Sequence, residues 1–229
     1  MKEILIVPDV HGRTFWEPAL DFEGEVIFLG DYTDPYPKEN ISMADACNEM
    51  LRIVDFKRRN PERVTLLIGN HELHYYDMDY RCSRFSFKYY DKIHELLTGE
   101  ETAGMFQISR LVGQYLFVHA GVLNGWYEAH REELNAHPGK IDEQLNALFN
   151  SNQESYFEIS LFRGGFHSYG SPIWADKYEF LNERTVFNEE LIQIVGHSQL
   201  QSEEPLKHRQ IWITDNRRLY RLSELESWN

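Results

Sequence analysis

Ile4-Leu5-Ile6-Val7-Pro8-Asp9-Val10-His11-Gly12 is the stretch that decides the fold: four apolar residues run straight into an aspartate, a histidine and a glycine. A short apolar run rich in β-branched side chains and closed by Pro and polar residues is the pattern of a buried strand. Gly12 then allows the backbone to turn away sharply. The run is too short to cross a bilayer and has no small-residue cleavage site, so it reads as the first strand of a cytoplasmic protein.

The same arrangement recurs four times. Ile27-Phe28-Leu29 leads into Gly30-Asp31-Tyr32-Thr33-Asp34, Leu66-Leu67-Ile68 into Gly69-Asn70-His71-Glu72, Leu116-Phe117-Val118 into His119-Ala120-Gly121, and Gln193-Ile194-Val195 into Gly196-His197-Ser198. Strands are therefore expected at 4–7, 26–29, 64–68, 115–118 and 191–195, with two more at 211–214 and 219–222. Between the second and third, Met43, Ala46, Cys47, Met50, Ile53 and Val54 repeat at helical spacing. Ser42 and Asp45 form a cap pair at the start of that helix, and Asn60-Pro61 ends it. Strand, helix and strand in this order make a βαβ unit, with parallel strands and a right-handed crossover. The fold class is α/β.

Composition narrows the function. A chain of 229 residues with 42% hydrophobic and 14% aromatic residues buries a substantial core, so disorder is excluded as a general description. Its 37 acidic and 23 basic residues give a net charge of -14, which disfavours nucleic acid and anionic membranes as partners. Two cysteines, Cys47 and Cys82, supply neither a disulfide framework nor a thiolate metal site, and Cys47 falls on the buried face of the helix. The simplest organisation is one domain over 1–229, with insertions around 73–104 and 124–190. The first insertion is crowded with aromatic and charged residues. In the second, residues 124–152 read as one or two surface helices and 153–176 as a long loop.

In open α/β sheets, ligands bind beyond the carboxyl ends of the strands. Asp, His and Asn side chains at five strand ends can therefore converge on one crevice, and carboxylate, imidazole and amide oxygen together suit divalent ions such as Mn, Fe or Zn. Each short motif is weak by itself. The ordered set is not.

Asp-x-His-Gly, Gly-Asp-x-x-Asp, Gly-Asn-His-Glu, His-Ala-Gly and Gly-His-Ser, running from Asp9 to Ser198, resemble the motif set of the calcineurin-like metallophosphoesterases, above all their serine/threonine phosphoprotein phosphatase branch. The resemblance implies two β-sheets packed as a sandwich flanked by helices, with a dinuclear metal centre at one rim. By similarity, Asp9, His11 and Asp31 hold one metal, while Asp31, Asn70, His119 and His197 hold the other. The two divalent ions, Mn first and Fe or Zn after it, would share the Asp31 carboxylate and activate a bridging hydroxide against phosphorus. His71 resembles the family's general acid, with Asp34 orienting it. The other six histidines, His74, His94, His130, His137, His167 and His208, read as surface or loop residues.

Two departures bear on substrate. Phosphoprotein phosphatases usually continue Gly-Asp-x-x-Asp with Arg-Gly, whereas Pro35-Tyr36 stands here, so the phosphate-clamping arginine must come from elsewhere. Arg163, Arg184 and Arg13 are the candidates. Gln199 stands where many phosphodiesterases of the superfamily carry a second histidine, which favours the phosphatase type of site. The function implied is hydrolysis of phosphate monoesters, with a phosphorylated protein or small ester as substrate. The alternatives are a dinucleoside polyphosphate hydrolase, with Tyr75, Tyr76, Tyr80, Phe85 and Phe87 either stacking a base or forming a cap, and a non-catalytic scaffold on the same fold.

Overall fold

The computed structural model describes residues 2–183 and 187–228, which gather into two compact units. The first comprises Met1–Gln107 and Arg217–Asn229, the second Ile108–Asn216.

The first unit is built on a five-stranded sheet. Strands β1 (Ile4–Val7), β2 (Glu25–Phe28), β3 (Val64–Leu67) and β4 (Phe106–Gln107) run parallel, with Leu5 opposite Val26 and Val26 opposite Val64. A C-terminal strand, Tyr220–Arg221, closes the other edge against β1 in antiparallel fashion. Every residue of β1 is buried, as parallel strands covered on both faces require.

Helix α1 (Met43–Arg59) is the crossover from β2 to β3. Ser42 and Asp45 form a reciprocal capping box at its start, and Ala46, Cys47, Met50, Ile53 and Val54 face the core, so the helical spacing and the cap pair were correctly read. Cys47, Met50, Ile53 and Val54 pack with Val7, Val26, Phe28 and Leu66 of the sheet and with Trp16. After β3 the chain enters α2 (Asn70–Tyr76), then a segment of short turns, then α3 (Tyr90–Thr98). The third helix buries Ile93 and Leu97; its period was hidden in the sequence by surrounding tyrosines and charges.

The second unit has its own five-stranded sheet. Strands β5 (Ser109–Val112) and β6 (Tyr115–Val118) form a hairpin, β7 (Ile192–Val195) runs parallel to β6, and β9 (Ile211–Ile213) lies between β7 and the edge strand β8 (Leu206–His208). The C-terminal strand of the first unit is thus β10 (Tyr220–Arg221). The region expected to hold one or two surface helices contains α4 (Asn124–Ala129), α5 (Arg131–Asn135) and α6 (Ile141–Ser151). These helices are not merely superficial, since Trp126, Leu134, Leu145 and Leu148 are buried. Short helix α7 (Lys177–Asn182) belongs to the second unit and α8 (Leu222–Ser227) to the first.

All seven expected strands are present, within one residue at each end, and the α/β class with two mixed sheets holds. No helix among the described residues is long and apolar enough to cross a membrane.

Candidate functional site

The loops after β1 and β2 are laced together by backbone. His11 N–H donates to Asp31 O at 2.6 Å and Gly12 N–H to Tyr32 O at 2.9 Å. To make this turn, His11 and Asp31 take φ of 48° and 55°, the left-handed region that non-glycine residues rarely enter. Asp34 does the same at 55° and, in the second unit, His197 at 60°. Half of the eight non-glycine residues with positive φ among those described are therefore sequence-nominated site residues. Strain of this kind persists only where surroundings over-determine it, and it gathers at functional sites.

His11 is set up as a ligand. Its Nδ1 lies 2.8 Å from the Thr33 carbonyl oxygen, which only accepts, so Nδ1 carries the proton. In the neutral ring, Nε2 then holds the lone pair, and it faces Asp31 Oδ2 at 3.3 Å. Asp31 Oδ1 accepts the His71 backbone N–H at 3.0 Å. Asp9 and Asn70 are buried at the ends of β1 and β3.

Glu72 holds these loops in register. Its carboxylate accepts three backbone N–H groups: Asp31 at 2.7 Å, Tyr32 at 2.8 Å and Gly69 at 3.0 Å. Burial and the nearby Asp31 push its carboxyl up, while the three donors favour the charged acceptor. The bond to Gly69 is the back-reach of a glutamate at the third position of a helix. A Cβ on Gly69 would lie 2.2 Å from Asp31 Oδ1, so only glycine fits beside that carboxylate.

His71 and Asp34 form the expected pair, with His71 Nδ1 2.8 Å from Asp34 Oδ2. Tyr75, which the sequence left either to stack a base or to form a cap, donates its hydroxyl to Asp34 Oδ1 at 2.6 Å. Burial pushes the Asp34 carboxyl up to about 8, against the Tyr75 hydrogen bond that lowers it. Arg84 Nη2 meets the far nitrogen of His71, Nε2, at 2.8 Å. The His71 ring stands edge-on to that of His11, centroids 5.1 Å apart.

His11, Asp31 and His71 bring one donor atom each within 4.8 Å of one another, close enough to hold a cation. His71 is the poor member of that trio. Asp34 takes its Nδ1, and a guanidinium and a divalent cation cannot occupy the same side of Nε2. The His11 and Asp31 donors fit a metal, and His71 fits proton transfer beside it. His74, expected at the surface, is instead buried on α2; desolvation drives its pKa down to about 4, which makes it a neutral core histidine.

In the second unit, His119 after β6 and His197 after β7 come together, with His119 Nε2 3.1 Å from His197 Nδ1. Trp174 packs edge-on against His197, ring centroids 5.9 Å apart. Two imidazole nitrogens aimed at one spot suit a shared cation of borderline hardness.

Of the nominated arginines, Arg163 lies beside His197, with Nη2 3.1 Å from Ser198 Oγ, but its Nε is 2.6 Å from Asp176 Oδ2. Arg13 offers its fork to Glu39, Nε to Oε2 at 2.8 Å and Nη2 to Oε1 at 3.0 Å. Arg184 lies outside the described residues. Sequence reasoning missed Glu72, Tyr75 and Arg84. Only Glu72 carried a local signal, its place three residues after the Gly69 that caps the helix.

Comparison with known proteins agrees with this geometry. The family of calcineurin-like phosphoesterases matches residues 3–201. Among solved structures, a cold-active protein-tyrosine phosphatase of a psychrophilic Shewanella species has a TM-score of 0.57 at 19% identity, covering 96% of this chain and 77% of its own. A serine/threonine phosphatase of Saccharomyces cerevisiae, described as similar to human PP5, has a TM-score of 0.51 at 12% identity, covering 93% of this chain and 67% of its own. At such identities these two likenesses speak for the fold. No curated protein matches the sequence. With the family spanning residues 3–201 and its metal-capable histidines and aspartates in place, the chain belongs to the calcineurin-like phosphoesterases, metal-dependent hydrolases of phosphate esters.

Proposed function

We propose that the protein hydrolyses phosphate monoesters at a dinuclear centre, with phosphoserine or phosphothreonine in proteins as the first substrate class to try. The observation that carries this reading lies inside the first unit. An imidazole paired to a buried carboxylate, His71 with Asp34 at 2.8 Å, stands ring to ring with a histidine whose Nε2 is ready for a metal. A proton donor beside a metal ligand is what cleavage of an ester with a poor leaving group needs.

The ligand assignment follows the family pattern: Asp9, His11 and Asp31 for one ion, and Asp31 with Asn70, His119 and His197 for the other. When bound, the ions supply positive charge for the phosphoryl oxygens and lower the pKa of water. The chain's own residues do the rest. Thr33 and Asp34 fix the tautomers of His11 and His71, Tyr75 holds Asp34 in orientation, and Glu72 fixes the backbone of Asp31. His71 gives its proton to the leaving oxygen. Manganese is the first ion to try, iron and zinc the next, and a cytoplasmic setting accords with two free cysteines.

The aromatic segment weighs against a dinucleoside polyphosphate as substrate. Tyr75 stacks on Phe85 at 4.9 Å, Phe85 meets Phe87 edge-on at 5.0 Å, and Tyr75 is wholly buried. Tyr75 and Phe85 are held on each other and leave little face for a base, although Tyr80 and Phe87 stay exposed.

The test is to strip the protein of metal, restore Mn, Fe, Zn or Mg singly, and assay phosphoserine, phosphothreonine and phosphotyrosine peptides beside diadenosine tetraphosphate. Turnover of monoesters with at least one metal is expected. Activity on the dinucleotide alone would transfer the assignment to the polyphosphate hydrolases, and inactivity on every ester with every metal would leave a scaffold.

A further inference from the structure

Three arginines of the described chain lie against nominated site residues, and they differ in what neutralises them. Arg13 is matched by Glu39 and Arg163 by Asp176. Arg84 has no carboxylate hydrogen-bonded to it among the described residues, Asp34 acting on it only through space: its Nη2 meets His71 Nε2 at 2.8 Å, and its Nη1 is buried with no hydrogen-bond partner among the described residues. Its guanidinium lies over the Tyr36 ring, 3.8 Å from the centroid. Tyr36 is one of the two residues standing where the second motif would continue with Arg-Gly. The backbone at Arg84 is left-handed, with φ of 70°.

A cation taken partly out of water, stacked on a ring and hydrogen-bonded only to a neutral imidazole, is a costly arrangement. Strained backbone at the same residue adds to the cost. An anion with two oxygens relieves it, because a guanidinium presents parallel N–H groups in a fork that fits a phosphoryl group.

We propose that Arg84, carried on the segment between α2 and α3, is the phosphate-binding guanidinium of this site and takes the work of the arginine missing after Asp34. The inference rests on the phosphomonoesterase reading above. Tyr36 provides the flat rest on which Arg84 lies.

The experiment compares manganese-loaded wild type with Arg84→Ala, Arg84→Lys, Arg84→Gln and, as a control from the same segment, Arg81→Ala. Arg81 is exposed and rests on Phe87. The readouts are inorganic phosphate binding by calorimetry, phosphate inhibition, kcat and KM on 4-nitrophenyl phosphate, and bound metal per chain. For Arg84→Ala, phosphate affinity should fall about tenfold or more and kcat/KM about a hundredfold, with metal content unchanged. Lysine should restore part of the phosphate affinity, since it keeps the charge and loses the fork, while glutamine and Arg81→Ala mark the two ends of the scale. If Arg84→Ala does not fold, the lysine and glutamine variants carry the comparison. Phosphate affinity within about twofold of wild type in the variants, whatever happens to turnover, overturns the proposal. If wild type binds phosphate through Arg84 but hydrolyses no ester, the functional reading fails while Arg84 stands.

Discussion

The backbone N–H of Asp31 donates to Glu72 Oε2 at 2.7 Å, across 41 residues of sequence. This bond, with its neighbours at Tyr32 and Gly69, ties the end of β2 to the start of α2 and holds Asp31 in its left-handed turn. Replacing Glu72 by Gln sets an amide N–H against a backbone N–H at a fully buried position. Glu72→Gln should lose about 2 to 4 kcal/mol of stability. Urea unfolding followed by circular dichroism measures it, and a loss within the error of the extrapolation would mean that the three bonds do not organise the turn.

Gly69 lies against the Asp31 carboxylate. A methyl group there would sit 2.2 Å from Asp31 Oδ1, so Gly69→Ala has to move either the side chain or the strand end. Metal affinity is expected to drop by about tenfold or more, in line with the sensitivity of metal sites to displaced supports. Titration of the stripped protein with manganese tests this, and unaltered binding would show that Asp31 is not the shared ligand.

The pairing of His71 with Asp34 makes a distinction between leaving groups. Without a proton donor, an alkyl alcohol leaves as an unstabilised alkoxide, whereas 4-nitrophenolate leaves unaided. His71→Asn should reduce kcat by about a hundredfold to ten-thousandfold on phosphoserine peptide and far less on 4-nitrophenyl phosphate. Equal losses on both would remove the acid role and return His71 to a structural one.

His130 provides a pH signature remote from the site. Its hydrogen bond to Glu158 raises its pKa above the ordinary 6.5, against the opposing effect of burial, and Glu133 adds to the rise. A folded-state pKa above the unfolded one means that the contribution to stability is fully present below the unfolded value and fades as pH rises through the folded value. The stability gap between wild type and His130→Gln should therefore be widest below the unfolded value and narrow as pH rises through the raised folded one. Urea midpoints at half-unit pH steps would reveal it; a gap constant with pH would leave the ion pair without thermodynamic weight.

What could be read from the chain, and what could not, divides by range. Strands such as Ile4–Val7 and Tyr115–Val118 announce themselves because a run of apolar residues between polar ends has few other uses. The ligand candidates follow from them, since each sits at a strand's carboxyl end. The short edge strands β4, β5 and β8 were missed, because two to four partly exposed residues such as Leu206-Lys207-His208 carry no periodicity. Arg84 was invisible for a different reason. Nothing in Cys82-Ser83-Arg84-Phe85 marks it, and its meaning comes from Tyr36 and His71, residues that only folding brings to it. Tyr75 similarly reads as one more aromatic until its hydroxyl finds Asp34.

His11, Asp31, Asp34, Arg84 and His197 all hold a backbone geometry that L-amino acids disfavour. A breeder selecting this enzyme for heat tolerance alone would be drawn to those codons, because glycine there relaxes the chain at once. Each such gain would delete a side chain of the proposed site. Thermal hardiness and turnover are thus opposed at the level of single residues, and improvement without sacrifice has to be sought away from the catalytic loops.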